Sequence, residues 1–445
     1  MIKTSGLSYA ALAQAVNRLG YLAGKTLNYS KSAVSRWIAG EQPRNPVPEL
    51  LLEVFRKKLG REFTYRDLGF DIAEADIEIR SLWYSDLSTT LDVAPLMWSH
   101  DVFRRDLLKS SAVAVGAMTA PARNFLPFEP DRCRSRTGSI PVSLGDVKMI
   151  REVAHQYWRW DSKYGGGRFR EQLVYFLHSH VAPLLGGRYG EKVGCGLFSA
   201  AGEATMFAGW MAYDMASLGL AQRYYTQALR MAQAAGDRQL GGEILTCMAY
   251  VANSAGAPDD AIQLCEYALD ITKGRVPPRV QSYIYSVLSR CLASAPSSPR
   301  NRPAALTALN AAERHFARPL DGSENAWVAG IDFRGLQTQA AHVLSELGMT
   351  GRAHEAISVA LDGRDESHRR AVAFCKLYLG MVHVKEDDAE AAVAAGDEVL
   401  NLLPGLETAR VQQGLARLQR EINSLGDTDP IRTFNERART LGDRS

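Results

Sequence analysis

Residues 29–40 of the 445-residue chain, YSKSAVSRWIAG, combine short hydroxyl side chains with long cationic ones. Four polar residues can share one face of a helix here: Lys31, Ser32, Ser35 and Arg36. A guanidinium or ammonium group can reach guanine or a phosphate, while short hydroxyl side chains let the backbone approach the base edges. The chemistry predicted for this segment is therefore hydrogen bonding to double-stranded DNA.

Two short helices must position these side chains. The second covers residues 31–39, with Ser30 able to cap it and Gly40 able to end it. Its apolar side consists of Val34, Trp37 and Ile38. The first helix opens at Ser8, and its apolar stripe is formed by Leu12, Ala13, Val16 and Leu19. The pair predicts a helix-turn-helix with a recognition helix for the major groove, and the alternative is an ordinary cationic surface helix.

Charge is unevenly distributed along the chain. Residues 1–70 hold eleven Lys or Arg and five Asp or Glu, whereas the net charge of the whole chain is +3. A basic head on a slightly acidic remainder is typical of a nucleic-acid-binding module fused to another domain. Further candidates for backbone phosphate contacts are Arg44, Lys57 and Lys58. Because one small head supplies little affinity, we expect a homodimer with half-sites about one helical turn apart.

The head resembles the helix-turn-helix of XRE-type (Cro/repressor-like) transcriptional regulators. The resemblance is carried by Leu7-Ser8-x-x-x-Leu12-Ala13 and by Ser32-x-Val34-Ser35-Arg36-Trp37-x-x-Gly40-x-x-Pro43. More narrowly, it is similar to actinobacterial regulators with a C-terminal tetratricopeptide-like region. Their heads continue in a Pro-rich turn, a helix and a Thr-x-x-Asp-Leu-Gly ending, matched here by residues 44–48, 50–61 and 64–69.

This resemblance implies a role in actinobacterial development or specialised metabolism. Such heads usually carry one more helix before the position of Leu7, and only six residues precede it here. The competing hypothesis is therefore a protein-interaction scaffold with a degenerate head that does not read DNA.

A connector is predicted at residues 71–145. Residues 71–101 are acidic, and 119–145 are rich in Pro, Arg, Ser and Gly. Between them, residues 103–118 resemble a twin-arginine export signal, FRRDLLK followed by an apolar run. Because this segment lies about 100 residues into the chain, we expect a short helix packed between domains instead. The apolar run is too short to span a bilayer, so attachment to the membrane through this segment is only a third hypothesis, and a membrane partner is not expected.

Residues 146–445 carry internal repeats of the tetratricopeptide type. Small residues, needed where two helices cross closely, recur at matching positions: Gly209, Ala221 and Ala228; Ala249, Ala261 and Ala268; Ala341, Ala353 and Ala360; Gly380 and Ala392; and, more weakly, Ala305 and Ala312. Successive units are 39–48 residues apart, so lengthened turns such as 295–299 are expected. The pattern predicts an α-solenoid whose concave groove binds a peptide or protein partner, or a second protomer.

Catalytic motifs are absent from the sequence: it has no G-x-S-x-G, Walker or H-E-x-x-H pattern. His178-x-His180 offers two metal ligands without an assignable third. The triplet Gly165-Gly166-Gly167 follows a predicted helix rather than a strand, which favours a turn over a phosphate loop. The six cysteines form no C-x-x-C pair and are expected in the core, as suits a reducing cytoplasm. We therefore predict no enzyme, no cofactor and no metal site.

Taken together, the sequence predicts an all-α protein. Its parts are a helix-turn-helix domain at 1–70, the connector at 71–145 and a tetratricopeptide-like solenoid at 146–445. The predicted function is cytoplasmic, sequence-specific transcriptional regulation, in which a signal or partner on the repeats changes the arrangement of two heads.

Overall fold

Helices account for almost all regular structure in the computed structural model. It describes residues 2–22, 27–41, 43, 47–59, 68, 87–103, 113–114, 118–125, 136–295, 301–320 and 331–442. In those residues the strands are β1 (Arg136–Thr137) and β2 (Arg188–Tyr189), which pair antiparallel. The predicted all-α class is confirmed. The chain divides into a head unit, residues 1–80 with 85–97, and a body unit, residues 81–84 with 98–445.

The helices are numbered in chain order. The head unit contains α1 (Ile2–Ser5), α2 (Tyr9–Leu22), α3 (Lys31–Ile38), α4 (Val47–Leu59) and most of α5 (Leu87–Phe103). The body unit continues with α6 (Ala120–Phe125), α7 (Leu144–Tyr164), α8 (Gly166–Phe176), a π-helical turn (Leu177–Val181), α9 (Ala182–Leu185), α10 (Glu191–Asp214), α11 (Leu218–Ala235), α12 (Arg238–Ser254), α13 (Pro258–Thr272), α14 (Pro278–Ser294), α15 (Asn301–Phe316), α16 (Phe333–Glu346), α17 (Thr350–Leu361), a 3₁₀ turn (Glu366–His368), α18 (Arg369–Lys385), α19 (Ala389–Leu402), α20 (Ala409–Ser424) and α21 (Asp429–Gly442).

A small apolar core holds the head unit together. It lies between α2, α3 and α4 and consists of Leu12, Ala13, Val16, Val34, Val47, Leu51, Val54 and Phe55. Ser8 caps α2 as predicted, since its Oγ accepts from the Ala11 amide at 3.1 Å. Gly40 follows the end of α3 with a φ of 105°, a left-handed conformation that suits glycine.

The body is a series of helix pairs, in agreement with the predicted solenoid. Five consecutive pairs pack closely: α10 with α11, α12 with α13, α14 with α15, α16 with α17, and α18 with α19. The small residues predicted for these crossings are all buried. A Cβ on Gly209 would lie 2.8 Å from the Tyr225 ring, which shows why the crossing of α10 and α11 needs a minimal side chain.

Aspartate side chains cap the N-termini of three helices of the body. The side chains of Asp237, Asp332 and Asp388 accept hydrogen bonds from backbone amides in the first turns of α12, α16 and α19, at 3.0, 2.7 and 3.0 Å. Earlier in the body, Ser143 and Asp146 form a reciprocal capping box at the start of α7. These caps fix where each helix begins and thereby set the register of the pairs.

Parts of the connector pack on the body rather than linking freely. The Ala114 amide donates to Gln222 Oε1 at 2.9 Å, and Gln222 Nε2 donates back to the Ala114 carbonyl at 3.0 Å. Phe125 of α6 is fully buried, and a Cβ on Gly241 would lie 2.3 Å from its ring. The predicted arginine pair at 104–105 lies outside the described residues, as do 296–299 of the predicted turn. None of the described helices is long and apolar enough to cross a membrane.

Candidate functional site

Helix α3 presents the predicted DNA-contacting face to solvent. Lys31, Ser32, Ser35 and Arg36 are all exposed. The opposite side is fixed by Val34, which is buried against α2 and α4. Ile38 was predicted on this apolar side, but it is 52% exposed, because it is the last residue of an eight-residue helix and lies beyond the packed core. The face therefore carries two cations and two hydroxyls on a rigid support.

The connection before α3 is clamped in a way that the sequence pattern did not reveal. Asn17 of α2 donates from Nδ2 to the Tyr29 carbonyl and accepts from the Tyr29 amide at Oδ1, both at 2.8 Å. The Tyr29 ring packs edge-on against Trp37 with centroids 5.1 Å apart. In the sequence, this contact is indicated only by an asparagine that lies twelve residues before an aromatic residue. These contacts fix the angle of α3 on α2, as rigid presentation to a DNA groove requires.

Local partners engage several of the predicted residues. Arg36 Nε lies 2.8 Å from Glu41 Oε2, and both side chains are more than half exposed. Ser30 occupies the N-cap position, yet its side chain makes no capping bond and lies 2.7 Å from Ser32 Oγ instead. The exposed ion pair is weak enough to exchange for a phosphate or a base edge.

The remaining predicted phosphate contacts lie around α4. Lys58 is exposed near the end of that helix. Lys57 is on the same helix, with its side chain outside the described residues, and Arg44 lies outside them altogether. Among the described residues, the cationic candidates are therefore Lys31, Arg36 and Lys58.

A large cavity lies on the inner face of the body repeats. Its volume is about 640 Å³. The first helices of successive pairs line it, with Trp210 from α10, Tyr250 from α12, Arg290 from α14, Gln339 from α16 and Tyr378 from α18. Each pair places its first helix on the concave side of a solenoid, so the lining follows from the repeat pattern itself.

Helix α7 closes one side of this cavity by packing against α18 and the 3₁₀ turn. The glycine triplet makes the approach possible. The Gly167 amide donates to the Glu407 carbonyl at 3.1 Å, and the Glu407 amide donates to the Tyr164 carbonyl at 2.7 Å. A Cβ on Gly165 would lie 2.2 Å from the Glu407 oxygen. The predicted turn is confirmed, and its glycines serve this close backbone contact.

A buried charge cluster sits beneath the same closure. Arg370 Nη2 lies 2.6 Å from Asp161 Oδ2 and its Nη1 lies 3.4 Å from Asp214 Oδ2, while Arg410 Nη1 lies 3.6 Å from Asp214 Oδ1. The Gly166 amide also donates to Asp214 at 2.9 Å. Both carboxylates are fully buried. Burial raises the pKa of Asp161 to about 6, opposed by the positive charge of Arg370. Two carboxylates and two guanidiniums thus join α7 and α10 to α18 and α20.

Aromatic rings form much of the cavity wall. Trp210 lies at 5.6 Å from Tyr250 and at 6.2 Å from Trp158, ring centroid to ring centroid. Its Nε1 is buried and has no hydrogen-bond acceptor among the described residues. The Phe374 and Tyr378 rings stack at 6.2 Å on the opposite helix, α18. The wall therefore combines flat apolar surfaces with an unused donor.

One group of side chains has the geometry of metal ligands among the described residues. His354, His383 and Glu386 each offer a ligand atom, and these atoms all lie within 4.8 Å of one another. The sequence pattern did not indicate this group because His354 is distant in sequence; His383-x-x-Glu386 was the only local signal. His180 stacks on Phe176 with centroids 5.4 Å apart and belongs to no such group.

Four of the five described cysteines are core residues. Cys247, Cys265, Cys291 and Cys375 are buried and free, and Cys195 is half-buried. Burial raises the pKa of the Cys375 thiol, which keeps it protonated and unreactive. Cys133 lies outside the described residues.

The head is similar to a known domain family. A family model described as the SP15 N-terminal domain matches residues 1–71. This range includes α1 to α4 and thus the exposed face of α3. No curated protein and no solved structure matches the chain significantly.

Proposed function

We propose that the protein is a sequence-specific DNA-binding transcriptional regulator of the XRE type, whose body unit receives a signal or partner. The exposed face of α3 supports this proposal most directly, since Lys31 and Arg36 stand beside two serines on a helix with a buried seam. A positively charged head suits the phosphate backbone. We further propose that the protein binds DNA as a homodimer.

The cavity of the body supports the signal-receiving half of this proposal. Pockets of about 300–1,000 Å³ are typical of small-molecule sites, and a volume near 640 Å³ falls within that range. The surrounding walls come from repeats that are far apart in sequence. A ligand in the cavity would contact several repeats at once. It could therefore favour one arrangement of the repeats over another.

Selection from a random duplex pool with the purified full-length protein tests the DNA-binding half. At near-physiological salt we expect enrichment of an inverted repeat, because a dimer places two copies of α3 in successive major grooves. If the folded protein enriches no sequence, this half of the proposal is wrong and an interaction scaffold becomes the better hypothesis.

Replacing Arg36 by alanine should weaken binding to the selected operator by about 1–3 kcal/mol and relax its sequence preference, if Arg36 reads a base. Fluorescence anisotropy with specific and scrambled duplexes would measure both effects. Lys58→Ala is the matched control, since removing a phosphate-binding side chain near the end of α4 should weaken binding to both duplexes equally.

Glu41→Gln supplies a second comparison, because it releases Arg36 from its ion pair and removes a negative charge near the DNA-facing surface. We expect this variant to bind both duplexes more tightly. Small and equal effects from Arg36→Ala and Lys58→Ala would contradict the assignment of α3 as the recognition helix.

A further inference from the structure

Among the described residues, the cavity of the body holds more positive charge than neighbouring carboxylates neutralise. Five arginines line it: Arg159, Arg290, Arg364, Arg370 and Arg410. Two of them, Arg370 and Arg410, are matched by the buried carboxylates of Asp161 and Asp214. The only acidic side chain among the described lining residues is Asp332, which caps α16 and lies 3.8 Å from Arg334.

The half-buried Arg290 and Arg364 meet only neutral acceptors among the described residues. Arg290 Nη1 lies 3.3 Å from the Tyr378 hydroxyl and 3.5 Å from Gln339 Oε1. Arg364 Nη2 donates to Thr338 Oγ1 at 3.3 Å, and its Nε donates to a backbone carbonyl. Since Thr338 and Gln339 are neighbours on α16, the two guanidiniums border one stretch of the cavity.

A second observation agrees with an excess of positive potential around this site. Burial, and then the positive charges of Arg290, Arg417, Arg410 and Lys385, lower the pKa of His342 well below its usual value. A half-buried cation without a counter-ion is costly, so the site favours an anion that supplies one.

We propose that the cavity binds a small organic anion that carries an aromatic ring. Arg290 and Arg364 would hold its acidic group through charge-assisted hydrogen bonds. Trp158, Trp210 and Tyr250 would pack against its ring. This inference rests on the proposed function and specifies the chemical class of the signal.

The closure of the cavity favours a small molecule over a peptide. An extended peptide runs along an open groove, whereas the contact between Glu407 and Gly167 joins the two sides of this one.

Anilinonaphthalene sulfonate is a suitable probe, because it joins an aromatic system to one anionic group. Its fluorescence should report one bound molecule per folded chain. Arg290→Gln and Arg364→Gln should each weaken that binding about tenfold, the loss expected when a charge-assisted hydrogen bond is removed. Phenylnaphthylamine, which lacks the sulfonate, should respond to neither change. Arg437→Gln is the matched control, since Arg437 pairs with Asp397 on α19, away from the cavity.

Several outcomes would overturn this proposal. Binding of many probe molecules per chain, or equal effects of Arg290→Gln and Arg437→Gln, would place the probe outside the cavity. Equal losses for the charged and the neutral probe would show that charge is not recognised. Displacement of the probe by tetraglutamate but not by salicylate would indicate a peptide ligand. The probe experiments contain no DNA, so a failure to bind the probe would not count against operator binding. Likewise, a failure to bind an operator would not count against binding of the anion.

A separate observation points to a metal site at the junction of α17 and α18. Glu386 Oε2 lies 3.1 Å from His354 Nε2 and 3.4 Å from His383 Nδ1. Ligand atoms around a tetrahedral zinc ion lie about 3.3 Å apart, because Zn–N and Zn–O bonds measure about 2.0–2.1 Å. Both histidines are thus already at about the distance from Glu386 that a shared ion would impose, and all three ligand atoms lie within 4.8 Å of one another.

We propose that these three residues bind Zn²⁺ through two imidazoles and one carboxylate. The ion would tie the middle of α17 to the end of α18. All three side chains are partly accessible, so a water molecule can complete the coordination.

Titration of the tag-free chain with Zn²⁺ against a fluorescent chelator tests this site. We expect one tightly bound ion per chain, together with a higher melting temperature in its presence. His354→Ala and Glu386→Gln should each weaken binding at least about tenfold. His315→Ala is the control, because His315 stacks on Tyr285 far from the cluster in sequence. Equal zinc affinity in the wild type and in His354→Ala would refute the site, as would the absence of binding.

Discussion

Arg370→Leu is expected to destabilise the body unit by about 3–5 kcal/mol, the usual cost of removing one partner from a buried ion pair. Two fully buried carboxylates, Asp161 and Asp214, face this guanidinium, and leucine offers them no hydrogen-bond donor. Urea unfolding followed by circular dichroism would measure the loss. Arg437→Leu breaks an exposed pair and should cost less than about 1 kcal/mol.

The pH dependence distinguishes this mechanism from simple loss of packing. Because burial raises the pKa of Asp161 to about 6, the folded state holds this proton more tightly than the unfolded state does. The contribution of Asp161 to the free energy of unfolding is therefore fully present below about pH 4 and is lost as the pH rises through about 6. Removing Arg370 takes away the charge that lowers this pKa, so the variant should lose more at about pH 8 than at about pH 5.

Asp161→Asn in the Arg370→Leu background should recover part of the loss, since it removes the carboxylate left without its partner. A loss that is the same at both pH values, with no recovery in the double variant, would contradict an electrostatic role for the cluster.

Gly165→Ala is expected to have the second large effect, a loss of about 2–5 kcal/mol. Gly165 has a φ of 85° and a ψ of 166°, a backbone region restricted almost entirely to glycine, which costs a residue with a side chain about 1–3 kcal/mol. In addition, its Cβ would lie 2.2 Å from the Glu407 carbonyl oxygen, where only a backbone shift can relieve the clash. Thermal or urea unfolding would measure the loss, and anilinonaphthalene sulfonate binding would report on the cavity.

Gly256 provides the matched control for this change. Its φ is 77°, and a Cβ there would meet nothing within 4 Å. Gly256→Ala should therefore cost only about 1 kcal/mol, through the left-handed conformation alone. If the two variants lost equal stability, the close approach to Glu407 would contribute nothing.

Local patterns predicted much of the fold. Residues 31–39 were expected to form a helix, and α3 covers Lys31–Ile38. The alanines and glycines at repeat positions identified the helix pairs, because a close crossing leaves no room for larger side chains. Such features depend on spacings of a few residues, which the sequence displays directly.

The cavity and the metal-ligand cluster depend on contacts between distant residues, and spacing does not reveal these. Arg370 lies more than two hundred positions after Asp161, and nothing near either residue indicates its partner. The excess charge of the cavity likewise arises only because Arg290 and Arg364, from different elements, both contact α16. The clamp of Asn17 on Tyr29 was missed for a related reason, since amide side chains have many alternative partners.

Repeat proteins of this kind usually contact only their sequence neighbours, so their segments can unfold one after another. The contact that joins the start of this body to its last repeats changes that behaviour. Arg168 and Glu407, which are 239 residues apart, are held at 3.4 Å beside the glycine triplet. The repeats that lie between these two residues cannot unfold one after another without first breaking this contact. This part of the solenoid thereby gains cooperativity of the kind that globular domains have.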